Sequence, residues 1–115
     1  MSANKRKKLN KITREMLYEK YNHKCAYCGC ELEYSQMTAD HLKPLERNGI
    51  DDISNILPAC FICNNFKDHF TLTQFRQNIL NLKYVKTPDK IQSGIISKYN
   101  INSDKIIFYF ETFKI

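Results

Sequence analysis

No stretch of this chain approaches the roughly 18 consecutive apolar residues that a membrane span requires. The opening MSANKRKKLN has no apolar segment behind its charges, so neither a secretory leader nor a membrane anchor is expected. The phosphate-cradling P-loop pattern and the glycine-rich dinucleotide fingerprint do not occur, which argues against a nucleotide-driven machine. Repeats and low-complexity linkers are missing too, and 115 residues suit a single domain. At 43% hydrophobic and 26% charged residues, the composition is that of a soluble globular protein, expected in the cytoplasm of a bacterium or a phage-infected host.

Acidic residues are in short supply, 12 against 18 basic ones. Residues 1–24 hold eight basic and two acidic side chains, and residues 71–115 hold seven and three. Residues 25–70 reverse the balance, with three basic and seven acidic. The basic flanks suit a polyanion such as DNA or RNA. An acidic centre inside a polyanion binder calls for bound cations. Abundant Lys, Ile and Asn fit an AT-rich bacterial or phage coding bias.

Five cysteines, an odd number, include two CxxC pairs, Cys25/Cys28 and Cys60/Cys63, with 31 residues between them. This argues against a secreted disulfide scaffold and for an intracellular metal site. Each pair can present two thiolates, and together they complete a tetrahedral shell around Zn2+. Four thiolates leave no open position for water, so the zinc would be structural. Gly29 permits the tight turn that aims the first pair at one point. Cys30 reads as a free thiol, with a spare ligand as the alternative.

The periodicity places a helix from Thr13, as N-cap, to about Asn22, burying Ile12, Met16, Leu17 and Tyr21. A short strand runs from Met37 to Leu42 and ends before Pro44, Arg47-Asn48-Gly49 is a turn, and Ile53 to Leu57 is a second extended piece. The second knuckle opens a helix to about Phe70. Thr71 and Gln74 form a capping box for a helix with Leu72, Phe75, Ile79 and Leu82 inward. Thr87-Pro88 starts another helix, with Ile91, Ile95, Ile96 and Tyr99 inward. Ile106 to Phe110 is expected to be a closing strand. Residues 1–12 are read as a basic arm, 13–70 as a zinc-stapled core, and 71–115 as a mostly helical extension packed on it.

Between the knuckles lie Asp40-His41 and Asn55, and Asn64 follows the last ligand. Neighbouring strand residues point to opposite faces, so Asp40 and His41 should do different jobs, one binding a cation and the other facing a water. With Cys25-AYCG, Ala39-Asp40-His41-Leu-Lys-Pro44, Ser54-Asn55-Ile-Leu and Cys60-FIC-Asn64-Asn-Phe-Lys67, residues 13–70 resemble an HNH endonuclease of the zinc-stapled kind.

That resemblance implies an α+β chain built on a ββα-metal core. It implies His41 as general base and Asp40 and Asn64 as ligands of a catalytic Mg2+ or Mn2+, an ion that favours oxygen donors. Asn55 would hold the loop that orients His41, and Lys67 would contact a phosphate. Asn65 is the alternative ligand, and Asp68 and His69 are weaker candidates. The implied reaction is hydrolysis of DNA, most simply double-stranded, with Lys5, Arg6, Lys7 and Lys8 gripping the backbone. One active site nicks one strand. Double-strand cleavage would require a homodimer or a partner, as in phage packaging or restriction. A non-catalytic zinc-ribbon DNA-binding module, a degenerate family member and an RNA-directed nuclease are the rival readings.

Overall fold

The computed structural model describes residues 9–113. The proposed DNA-gripping residues Lys5, Arg6, Lys7 and Lys8 lie outside them. The element order is α1 (Lys11–Lys20), β1 (Thr38–His41), β2 (Ile56–Ala59), α2 (Phe61–Lys67), α3 (Leu72–Leu80) and α4 (Lys90–Lys98), with short 3-10 turns between and after them. β1 and β2 form an antiparallel ribbon in which Asp40 faces Leu57 and His41 faces Ile56. α2 follows β2 through Cys60 alone, so the ribbon and this helix form one compact ββα unit. Among the described residues no helix is long and apolar enough to cross a membrane.

Local chemistry explains the boundaries. The Asn10 side chain caps α1 through the Thr13 N–H at 2.8 Å, so the cap is Asn10 and not Thr13. Leu17 and Tyr21 are buried as expected, whereas Ile12 and Met16 are exposed. The stretch expected as extended from Ile53 is instead a 3-10 turn over Ile53–Asn55. Asp52 bonds both the N–H and the hydroxyl of Ser54, a local competitor that bends the chain before β2 can begin. Thr71 caps α3 through the Gln74 N–H, but the Gln74 amide turns to Asn78 instead of closing the box. Asp89, not the Thr87-Pro88 pair, caps α4, in a reciprocal box with Gln92.

The core gathers side chains from both sides of the ββα unit. Phe75 of α3 and Phe108 are wholly buried and stack with ring centroids 5.0 Å apart, and Tyr27 of the first knuckle meets both edge-on. Gly94 of α4 lies against Ile62 of α2, where a Cβ would come within 3.1 Å of the isoleucine side chain. Two backbone bonds, from Tyr109 N–H to Tyr27 O and from Phe110 N–H to Ala26 O, dock the C-terminal segment on the knuckle loop. No closing strand forms there. The segment meets a knuckle, not a free strand edge, and becomes a 3-10 turn over Tyr109–Thr112, which overrides its β-prone composition. In β2, Pro58 is buried and its carbonyl accepts the Ala26 N–H at 2.8 Å.

Arg76 of α3 fastens this segment further. Its guanidinium grips the Glu111 carboxylate through both terminal nitrogens and reaches Ile106 O at 2.8 Å. The hydrogen bond from Arg76 holds the Glu111 carboxyl below its ordinary 4.5. A depressed folded value means that the stabilisation is fully present above 4.5 and is lost as pH falls through the folded value. Arg76→Ala is expected to cost about 1 kcal/mol at neutral pH, seen as a Tm lowered by roughly 4 °C. The gap between variant and parent should narrow in thermal scans taken progressively below pH 4.5.

Candidate functional site

The first knuckle turns at Gly29, whose φ of +79° is a left-handed conformation open to glycine at little cost. The second begins at Cys60, whose sulfur accepts the Cys63 N–H at the start of α2. The sulfurs of Cys25, Cys28, Cys60 and Cys63 all lie within 4.8 Å of one another, and Cys25 and Cys63 are fully buried. This set can hold one metal ion, and its four sulfurs fit a structural zinc. Hydrogen bonding to neighbouring thiols raises Cys25 to about 12 and raises Cys63 as well, while the same contacts lower Cys60. Four sulfurs this close cannot all ionise without a cation among them. The Tyr99 hydroxyl at the end of α4 comes within 3.0 Å of the Cys63 sulfur.

Asp40 and His41, consecutive on β1, are both about 6% exposed and have different partners. The Tyr27 hydroxyl donates to Asp40 Oδ2 at 2.5 Å. The Lys67 ammonium lies 2.9 Å from that same oxygen and donates to His41 O at 3.0 Å. Lys67 is completely buried. The expected phosphate contact is therefore corrected: its ammonium is turned inward to neutralise a buried carboxylate and cannot reach a ligand outside. Burial, and then the Asp40 charge, push Tyr27 well above the ordinary phenol range, so its hydroxyl is a donor.

His41 Nε2 lies 2.8 Å from Asp51 Oδ1, a residue that the sequence reading passed over. Asp51 lies between Gly49 and the Ile53–Asn55 turn, in a loop that Asn55 fastens. The Asn55 amide accepts the Lys43 N–H and donates to Lys43 O and Ile50 O, all at 2.9 Å. Asn55 therefore acts one step from the imidazole, through the backbone next to Asp51. The clue available in sequence was only an acidic pair four and three residues before the asparagine.

Asn64 of α2 donates its amide N–H to Thr38 Oγ1 at 3.0 Å, and the Thr38 hydroxyl donates to Ala59 O at 2.7 Å. With its proton committed to Ala59, Thr38 Oγ1 must accept, which fixes the amide orientation of Asn64. Asn65 is exposed on α2. Asp68 and His69 are exposed, pair with one another at 3.1 Å and take no part in this cluster. Cys30 is half-buried and its carbonyl accepts the Cys25 N–H at 2.9 Å. The structure thus brings Asp40, His41, Asn55 and Asn64 onto one ββα unit. Hard carboxylate and amide oxygens of the Asp40 and Asn64 kind suit Mg2+ or Mn2+.

Comparison with known proteins agrees with this geometry. Residues 25–70 match the HNH endonuclease family. The chain is 27% identical over 81 residues to YoqL of Bacillus subtilis (strain 168), an SPbeta prophage-derived protein named as a candidate HNH endonuclease. That match covers 64% of this chain and 35% of YoqL, so the chain spans about a third of the length of this relative. Its fold is similar to part of the Type II-C Cas9 enzyme from Actinomyces naeslundii, with TM-score 0.53 and 17% identity over 82% of this chain and 13% of the Cas9.

Two outcomes test the site's construction. Cys63→Ser is expected to lose its metal and its cooperative unfolding transition, read by metal analysis and near-ultraviolet circular dichroism. A sharp transition in the metal-free variant would refute a structural role. Lys67→Met leaves the Asp40 carboxylate buried without its cation and is expected to cost about 3–5 kcal/mol in denaturant unfolding. A control at the exposed Lys43 should stay within ~0.5 kcal/mol of the parent.

Proposed function

We propose that this HNH module is a metal-dependent endonuclease that hydrolyses phosphodiester bonds of DNA, with His41 as general base and Asp40 and Asn64 as ligands of a catalytic divalent ion. The observation that carries this reading is the separate anchoring of two neighbouring residues, the Asp40 carboxylate by Tyr27 and Lys67 and the His41 imidazole by Asp51. The HNH family match and the prophage-derived relative support nuclease chemistry.

The role of His41 follows from its partner. Asp51 can only accept when ionised, so the proton of a neutral imidazole sits on Nε2 and the lone pair on Nδ1. Nδ1 then takes the proton of a water that attacks phosphorus. Asp51, which remains partly exposed, stabilises the imidazolium that forms, as the carboxylate partner of a catalytic histidine does. The bond to the 3′ oxygen breaks and that oxygen takes a proton from solvent water, leaving 5′-phosphate and 3′-hydroxyl ends. Asp40 and Asn64 would hold a divalent ion, which when bound would supply polarisation of the phosphate and charge stabilisation at the departing oxygen. Asn55 keeps the Lys43 and Ile50 backbone joined, so the loop cannot carry Asp51 away from the ring.

With supercoiled plasmid and Mg2+ or Mn2+, the parent is expected to convert circles to the nicked form. His41→Ala should slow this on the order of a hundredfold or more, and Asp51→Asn roughly 10–100-fold. Cleavage by His41→Ala at the parent rate would overturn the mechanism. Matched DNA and RNA duplexes decide the substrate class, and DNA is expected to be cut faster.

A further inference from the structure

The two groups on Asp40 have a role beyond filling space. Both close on the same atom, Oδ2, with Tyr27 at 2.5 Å and Lys67 at 2.9 Å. Tyr27 lies inside the first knuckle, between Cys25 and Cys28, and its ring is 1% exposed and wedged against Phe75 and Phe108. Its hydroxyl therefore has little freedom, and its position is set by the same backbone turn that aims two sulfurs at the structural metal site. Lys67 comes from the last turn of α2 and also ties down the strand by its bond to His41 O.

We propose that Tyr27 and Lys67 are positioning residues that clamp Oδ2 of Asp40 and so reserve Oδ1 for the catalytic cation, with Tyr27 linking the cysteine knuckle mechanically to the second metal site. This rests on the reading of Asp40 as a metal ligand. A carboxylate held by one oxygen cannot rotate about its χ2 axis without breaking both contacts, so the free oxygen is preorganised. Without the hydroxyl, the Lys67 ammonium can draw in both oxygens and compete with the incoming ion.

The test is Tyr27→Phe, which keeps the ring and removes only the hydroxyl. Mn2+ binding is read by electron paramagnetic resonance on zinc-loaded protein, beside the Mn2+ concentration that gives half-maximal nicking. Tyr27→Phe is expected to bind Mn2+ roughly tenfold more weakly, with the half-maximal concentration raised to match and the zinc content unchanged. Asp40→Asn in the same assay reports on the underlying reading. If Asp40→Asn leaves Mn2+ binding at the parent level, the metal-ligand assignment itself fails. If Asp40→Asn abolishes binding while Tyr27→Phe equals or exceeds the parent, the clamp alone is overturned. Should Tyr27→Phe not fold, Lys67→Met supplies the second arm. With one of the two restraints on Oδ2 removed, Mn2+ should bind more weakly and raise Tm less than it does in the parent, by linkage. An equal or larger rise would overturn the clamp.

Discussion

Everything in this domain hangs on four sulfurs that come from two distant points of the chain and meet within 4.8 Å. The first pair closes a turn and the second starts α2, so their convergence fixes the helix against the knuckle. The ribbon between them has only four residues in each strand. A hairpin of that size is marginal on its own in water. Held between two knuckles, it becomes a rigid support for consecutive polar residues on a buried strand.

The second organising feature is how those polar residues survive burial. An ionised carboxylate taken out of water is costly unless it is paired and hydrogen-bonded. Asp40 meets this requirement with one cation and one neutral donor. His41 meets it through Asp51, which stays partly exposed and so retains some solvation. The acidic excess of residues 25–70 is therefore divided. Asp40 is neutralised internally by Lys67, Asp51 serves an imidazole, and Asp52 commits Oδ2 to the turn at Ser54. The cation that an acidic centre demands is thus in part a lysine.

Much of the site could be read from residue order, because its chemistry is local. Two CxxC pairs and a following glycine state a metal knuckle without help from the rest of the fold, and the burial of Cys25 and Cys63 agrees. Asp40-His41, Asn55 and Asn64 stood out as a motif. What could not be read was direction. A lysine in the last turn of a helix suggests an outward ammonium free to meet a phosphate, and only the packing of α2 on β1 reveals that the Lys67 ammonium ends 2.9 Å from a buried carboxylate. Asp51 lies ten positions after His41, across a loop whose path is set by Asn55 bonds, not by any periodicity. Ile106–Phe110 has strand-forming residues, but it pairs with the knuckle backbone instead of a sheet edge. Ile12 and Met16 lie on the expected helix, yet they face away from its packed side.

Pro58 has one more effect. It has no N–H to offer, its carbonyl is already taken by Ala26, and the neighbouring Ile56 N–H is turned back to Ile53 O. The outer flank of β2 therefore offers no vacant N–H at either Ile56 or Pro58. A foreign strand arriving there finds no donors to pair with at these positions, so this side of the two-stranded sheet is a poor template for growth into a fibre.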